Sequence, residues 1–323
     1  MSKVPKLLGS SGDSLREAFG RALTELAPSY PAVVALDADI AGGTGMHHFR
    51  DAYPKQFIQC GIAEQNMMAM AGGLAAVGLI PLVTTFAVFT LRAIEQARLS
   101  IAYADMNVKI VASHPGLDVG PDGASAQCLE DLACFRSLPN MVVLSPCDPL
   151  EMSLATKAIL EFKGPVYMRT GRSEAVRILA KGYEFEIGKG KILQEGTDVS
   201  IIACGVEVAR ALEAWELLSK DGISARVVNM STIKPIDTEL LINCVRDTGA
   251  IVTAEDHNIL GGLGSAVAEA VVQNEPCPIE FIGVKDVFGE SGMPAELAEK
   301  YELTAAFIAK AAKRAISRKR VQT

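Results

Sequence analysis

With 323 residues the chain has the length of about two ordinary domains, and at 49% hydrophobic and 21% charged residues it can bury substantial cores, which excludes wholesale disorder. Its 31 Lys and Arg against 38 Asp and Glu give a net charge of −7, the wrong sign for a protein that lives on nucleic-acid phosphates. Cys60, Cys128, Cys134, Cys147, Cys204, Cys244 and Cys277 are odd in number, scattered and free of any C-x-x-C pair; this argues against a disulfide framework or a zinc knuckle and predicts a reduced, cytoplasmic protein.

Residues 1–12 lack the apolar core of a secretion signal. Ser14 and Glu17 then form a capping-box pattern, and Leu15, Ala18, Phe19, Ala22, Leu23 and Leu26 recur at helical spacing, predicting a helix with one buried face. Short β-branched runs at 33–36, 82–84, 108–112, 141–144 and 166–168 alternate with helical stretches, which implies a parallel sheet flanked by helices. Residues 67–91 carry no charge and are long enough to cross a membrane on paper, but Pro81, Thr84, Thr85 and the Ala and Gly content predict helix, turn, buried strand and second helix, so no membrane span is expected. Between 180 and 196 the pattern breaks at Lys181, Gly182, Gly188, Gly190 and Gly196, marking a domain boundary. Strands are expected again at 199–203, 225–229, 251–254 and 279–283, with helices at 206–218, 237–245 and 265–272, giving a second, smaller α/β domain. The basic stretch 310–320 reads as a solvated helix end.

Open parallel sheets bind ligands at the carboxyl ends of their strands, which draws attention to Asp39, to His114 and Pro115, to Arg172 and to Glu255-Asp256-His257, each just past a predicted strand. Glu64 opens a helix predicted over 64–77 and shares a face with Met68, Ala71 and Ala75, which points a carboxyl group along an apolar stripe. Burial there would disfavour its anion while the helix N-terminus favours it, leaving its charge state open, and spacing alone reads it first as a surface charge at a helix N-terminus. His47 and His48 are adjacent with no further ligand in sequence, and are expected to be loop residues rather than metal ligands. Gly261-Gly262-Leu263-Gly264 lacks dinucleotide-loop spacing, and no nucleophile elbow is present.

Gly61-Ile62-Ala63-Glu64-Gln65-Asn66-Met67, Thr84-Thr85-Phe86-Ala87-Val88-Phe89, Ser113-His114-Pro115-Gly116 and Gly120-Pro121-Asp122-Gly123 together resemble the transketolase family. So do the segment 129–140, Arg169-Thr170-Gly171-Arg172, Thr232-Ile233-Lys234-Pro235 and Glu255-Asp256-His257 with Gly261-Gly262, in order from about residue 12 to 312. The resemblance covers the second half of a full-length transketolase. It implies a pyrimidine-binding domain over 12–180 and a transketolase C-terminal domain over 187–315, both α/β/α. It also implies a missing diphosphate half, so this chain is expected to act as the C-terminal subunit of a split transketolase. An N-terminal partner would carry the diphosphate-binding domain and the Mg2+ ligands, in an α2β2 heterotetramer; no metal ligands, nucleic acid or membrane are expected here.

By the same resemblance, thiamine diphosphate is the cofactor and sugar phosphates are the substrates. Glu64 corresponds to the glutamate that hydrogen-bonds N1′ and favours the imino tautomer, whose N4′ takes the proton from thiazolium C2. Phe86 and Phe89 correspond to the wall under the aminopyrimidine, and Asp39 to an acid near the cofactor. His114 and Arg172 match substrate-phosphate contacts, and Asp122 a carboxylate that accepts a sugar hydroxyl. Glu255-Asp256-His257 is expected to serve structure or an interface. Two positions depart from the family. Ala126 stands where many relatives carry His or Gln, leaving either Gln127 to reach in or the donor sugar to differ; Thr44 is offered as a substitute for a phosphate-binding serine. The alternatives are a 2-oxoacid dehydrogenase β subunit, a deoxyxylulose-phosphate-synthase-like enzyme, or a non-catalytic subunit of the same fold.

Overall fold

A computed structural model describes residues 10–319. Its strands are β1 (Ser10–Ser14), β2 (Val33–Asp37), β3 (Phe57–Gln59), β4 (Ile80–Phe86), β5 (Lys109–Ser113), β6 (Val142–Leu144), β7 (Val166–Thr170), β8 (Glu174–Val176), β9 (Lys191–Gln194), β10 (Val199–Ala203), β11 (Ala225–Asn229), β12 (Thr232–Lys234), β13 (Ile251–Asn258) and β14 (Ile279–Val284). A seven-stranded sheet runs in the order β12-β6-β7-β5-β4-β2-β3 and a five-stranded sheet in the order β14-β13-β10-β11-β9, while β1 pairs with β8. The inner pairs of both sheets are parallel. This is the mixed, mainly parallel α/β architecture expected from alternating strands and helices; β5, β7, β10 and β11 are buried along their whole length because helices cover both faces.

The N-terminal helix spans Leu15–Leu26, with the Ser14 hydroxyl accepting the Glu17 N–H as the capping pattern requires. Helix Glu64–Ala76 buries Met67, Met68 and Ala71 in the core with Ala97 and Ile101. Gly72 lets that helix press against the π-helical turn Ala97–Tyr103: a Cβ there would lie 2.6 Å from the Ser100 carbonyl oxygen. Thus the uncharged run 67–91 folds as helix, turn, strand and a short second helix, Ala87–Thr90, and no helix among the described residues is long and apolar enough to cross a membrane. Helix Ala305–Ser317 buries Ile308, Ala311 and Ala315 beside helix Glu207–Lys220, leaving the lysines and arginines of the basic tail outward; Arg320 lies outside the described residues.

Residues 177–190 contain no helix or strand. Three strand-level differences from the sequence reading matter. β12, from the C-terminal half, adds antiparallel to the edge of the first sheet against β6, so Thr232 and Lys234 stitch the halves together. Lys234 reinforces the seam by donating from Nζ to the Arg136 and Leu138 carbonyls. β9 lies within the expected linker as the antiparallel edge of the second sheet. Finally, β13 runs on to Asn258, so Glu255, Asp256 and His257 lie inside a strand rather than after it. Burial raises the pKa of both carboxyls, that of Glu255 to about 7, and backbone donors offset part of the cost: Glu255 accepts from the Leu263 and Gly264 N–H groups at the start of helix Leu263–Asn274, both at 2.7 Å, and Asp256 accepts from Leu117 at 2.8 Å and Asp118 at 3.1 Å.

Candidate functional site

The carboxyl edge of the seven-stranded sheet gathers the ends of β2, β3, β4, β5 and β7, and Asp39, Glu64, Phe86, Phe89, His114, Asp122 and Arg172 lie at these ends or in the segments that follow them. Glu64 is the first residue of its helix and only 2% exposed; its Oε2 lies 3.2 Å from Nη1 of Arg92. Arg92 sits in the turn that follows Phe89, so the ion pair ties the start of one helix to the segment carrying the aromatic rings. Phe86 ends β4, and its ring stacks on Phe89 at 5.5 Å between centroids and on His114 at 3.7 Å. Gly43 leaves room for this stack, since a Cβ there would lie 2.8 Å from Phe86 Cε1 and push on the ring.

His114 is buried, with its Nδ1 2.9 Å from the Ser113 hydroxyl. Because Ser113 donates its one proton to the Gly43 carbonyl at 3.1 Å, the imidazole is the donor in the first of these bonds, which fixes the tautomer with the lone pair on Nε2. Burial, then the charges of Arg16 and Arg172, push its pKa down to about 3. The side chain is therefore a neutral, stacked imidazole, not the cation a phosphate contact would suggest. Charge at this end of the site comes from the arginines.

Arg172 and Asp122 are brought together, with Nη2 and Oδ1 3.3 Å apart, and the other guanidinium arm of Arg172 donates to the Val119 carbonyl. Asp118 fixes the Arg172 backbone by accepting its N–H at 3.2 Å, and Asp256 in turn accepts from the Asp118 N–H. A chain of hydrogen bonds thus runs from the interdomain core to the arginine. Asp39 is exposed, in the left-handed region at φ +66°, and its N–H donates to Gln59 Oε1.

Four polar residues of this edge escape a reading of spacing alone. Asp37 ends β2 fully buried, accepting from the Ile40 N–H and Gln59 Nε2, while its Oδ1 has no partner; burial raises its pKa. Gln59 Oε1 accepts from both Asp39 and Gly61 backbone N–H groups, joining the loop after β2 to the segment that leads into Glu64. Arg16 donates from Nη1 to the Gly43 carbonyl at 3.0 Å and keeps a buried, unpartnered Nε. Arg92 is the fourth. The only signal for Arg16 was its place in the first turn of a helix read as pure core packing, and a strand read one residue short left Asp37 unplaced.

Both family departures resolve in the structure. Gln127 does not reach in: it is buried, with Nε2 donating to the Glu290 carbonyl at 2.9 Å and lying 3.4 Å from that of Gly120. Thr44 does not replace a phosphate-binding serine either; its hydroxyl is buried against the Ala41 and Ile40 carbonyls and accepts from the Met46 N–H at 3.4 Å. His47 and His48 are not loop residues. They open the short helix His47–Ala52, and their partner is Glu17, 31 residues from His48. All seven cysteines are free thiols.

The remaining motif residues form the joint between the halves. Asp131 is fully buried and accepts from Arg169 on both oxygens, from Nε at 2.7 Å and from Nη2, and from the Tyr167 hydroxyl at 2.5 Å; Arg169 Nη1 also donates to the Asp256 carbonyl at 3.0 Å. Arg136 forks onto Glu269 and donates to the Gly261 carbonyl. His257 donates from Nδ1 to the Asn258 carbonyl at 2.6 Å and accepts the Ala133 N–H on Nε2, and burial together with Arg169 lowers its pKa to about 4.

Comparison with known proteins gives this arrangement its context. Residues 12–176 match the transketolase pyrimidine-binding domain and residues 188–308 the transketolase C-terminal domain. A Methanocaldococcus jannaschii protein provisionally named a transketolase C-terminal section is 46% identical over 92% of this chain and 94% of its own length. A 6-deoxy-6-sulfo-D-fructose transketolase subunit of a Clostridium species is 42% identical over 94% of this chain and 95% of its own. Among solved structures, a split-gene transketolase described as an inactive β4 tetramer is 49% identical with a TM-score of 0.90, covering 95% of this chain and 99% of that one. Two domain matches spanning most of the chain and relatives this similar over nearly their full length show that the chain belongs to the transketolase family, whose pyrimidine-binding and C-terminal domains it carries.

Proposed function

We propose that this chain is the catalytic C-terminal subunit of a split transketolase, transferring a two-carbon ketol unit from a ketose phosphate to an aldose in pentose phosphate metabolism of the cytoplasm. It works with an N-terminal subunit that supplies the diphosphate-binding domain and the Mg2+ ligands, in an α2β2 assembly. Its own domains extend over 12–180 and 187–315. The inactive β4 tetramer described for a similar split-gene protein supports a need for that partner.

The observation that carries this reading is the Glu64 carboxylate, buried at a helix start and held by Arg92, on the sheet edge that also bears the stacked Phe86 and Phe89 rings. A buried acid beside flat apolar surface fits the pyrimidine end of thiamine diphosphate, which when bound supplies the thiazolium carbon that carries the ketol unit. Glu64 holds a proton at N1′, Phe86 and Phe89 form the apolar wall, and Asp39 lies at the cofactor's edge. Arg172 and Arg16 supply positive charge for the substrate anion. His114 presents a neutral ring within reach of both charges, and Asp122 accepts a sugar hydroxyl. Replacing Glu64 by Gln keeps the shape and removes the acid; the variant paired with its N-terminal subunit is expected to lose ketol transfer by at least about a hundredfold while still assembling. Normal turnover would refute the assignment.

A second reading concerns the donor. Ala126 has no polar group, Gln127 is bonded elsewhere and the Thr44 hydroxyl is internal, so this edge offers fewer hydrogen bonds to a sugar than the family pattern implies. The Clostridium relative is named for 6-deoxy-6-sulfo-D-fructose. Assaying a sulfonated ketose beside its phosphorylated counterpart separates the two donors.

A further inference from the structure

We propose that Glu17, His47 and His48 form a zinc site that clamps helix Leu15–Leu26 to helix His47–Ala52. Among the described residues, these three bring one ligand atom each to within 4.8 Å of one another. The separations suit a tetrahedral ion. His48 Nε2 lies 2.8 Å and His47 Nε2 3.9 Å from Glu17 Oε2, bracketing the roughly 3.4 Å that two ligands keep when each is about 2.0–2.1 Å from zinc.

Two further observations point the same way. The Ser14–Glu17 pattern calls for the Glu17 carboxylate to turn back onto the helix start, yet here it faces the two imidazoles. The backbones also approach closely: a Cβ on Gly20 would lie 2.0 Å from the Gly45 carbonyl oxygen, and one on Gly45 would lie 2.1 Å from that of Arg16. That contact fixes the distance between the element carrying Glu17 and the one carrying the histidines. The three side chains are about a quarter to a third exposed, so an ion has access and a fourth position is left for water. Two imidazoles and one carboxylate suit zinc rather than magnesium.

The test uses the full chain with any affinity tag removed, stripped of metal by chelation and then titrated with Zn2+ by calorimetry and with Co2+ by visible absorption. One ion per chain is expected, with four-coordinate cobalt bands and no thiolate charge-transfer band. H48A should weaken binding by at least about tenfold, and E17Q, which preserves side-chain volume, should do likewise. Zinc should raise the thermal unfolding midpoint of the parent chain and leave that of E17Q unchanged. Binding that survives in both variants, a thiolate band, or much less than one ion per chain would overturn the proposal.

Discussion

The exposed guanidinium of Arg92 and the buried carboxylate of Glu64 face each other at 3.2 Å, joining a surface cation to a buried acid of the sheet edge. An ion pair with one member in water contributes little to folding, about 1 kcal/mol or less. Its consequence is positional: it holds the acid toward the turn that carries Phe89. Arg92→Met is therefore expected to lower ketol transfer by the reconstituted pair about tenfold while shifting the melting temperature by no more than about 4 °C. A large loss of stability with unchanged turnover per folded molecule would reverse that division.

Gly43→Ala tests the aromatic stack. The added methyl lies within van der Waals overlap of Phe86 and has to displace a ring already packed 3.7 Å from His114. A destabilisation of about 1–3 kcal/mol in urea unfolding is expected, together with weaker retention of thiamine diphosphate by the assembled enzyme. Equal stability of the two proteins would mean that the stack yields freely.

His114 gives a pH signature. Its folded pKa of about 3 lies below the roughly 6.5 of an unfolded chain, so between these values the unfolded state binds the extra proton and stability falls as pH falls. Unfolding of the parent and of His114→Asn, measured from about pH 7 down to about pH 5, should show the parent's advantage shrinking toward a limiting slope of about 1.4 kcal/mol per pH unit below pH 6.5. His257, also lowered, titrates in both proteins and cancels from the difference. A gap that does not change with pH would mean that His114 protonates without penalty.

The Asp131–Arg169 pair is the strongest candidate for a structural lock. Both partners are buried, and the guanidinium also holds the Asp256 carbonyl of the other half. Arg169→Leu strands a buried carboxylate, and a loss of about 3–5 kcal/mol is expected by denaturant unfolding. Replacing both members by apolar residues should recover much of that loss, because the remaining penalty is desolvation rather than a missing attraction.

Alternation of short apolar strands with periodic helices was enough to establish two α/β halves, and the limits of β10 and β11 were legible around their β-branched centres Ile201-Ile202 and Val227-Val228, as expected of strands buried on both faces. Glu64 was legible through its motif: spacing alone reads it as a surface charge at a helix start, and its burial beside Met67 and Met68 is decided by the fold. The short edge strands β9 and β12 were not, because pairing with a distant neighbour, not local pattern, makes them strands. The same limit governs the polar residues. Motif resemblance treats Asp131, Arg169 and Asp256 like Asp122, Arg172 and His114, and nothing in their spacing says that the first three lock two domains together while the others line an edge. The ring of Phe86 against His114, the diversion of Gln127 to Glu290 and the meeting of Glu17 with His48 join residues 28 to 163 positions apart. Contacts of that range are set by how the strands order themselves across a sheet and how closely glycines let helices approach, and only the folded chain decides them.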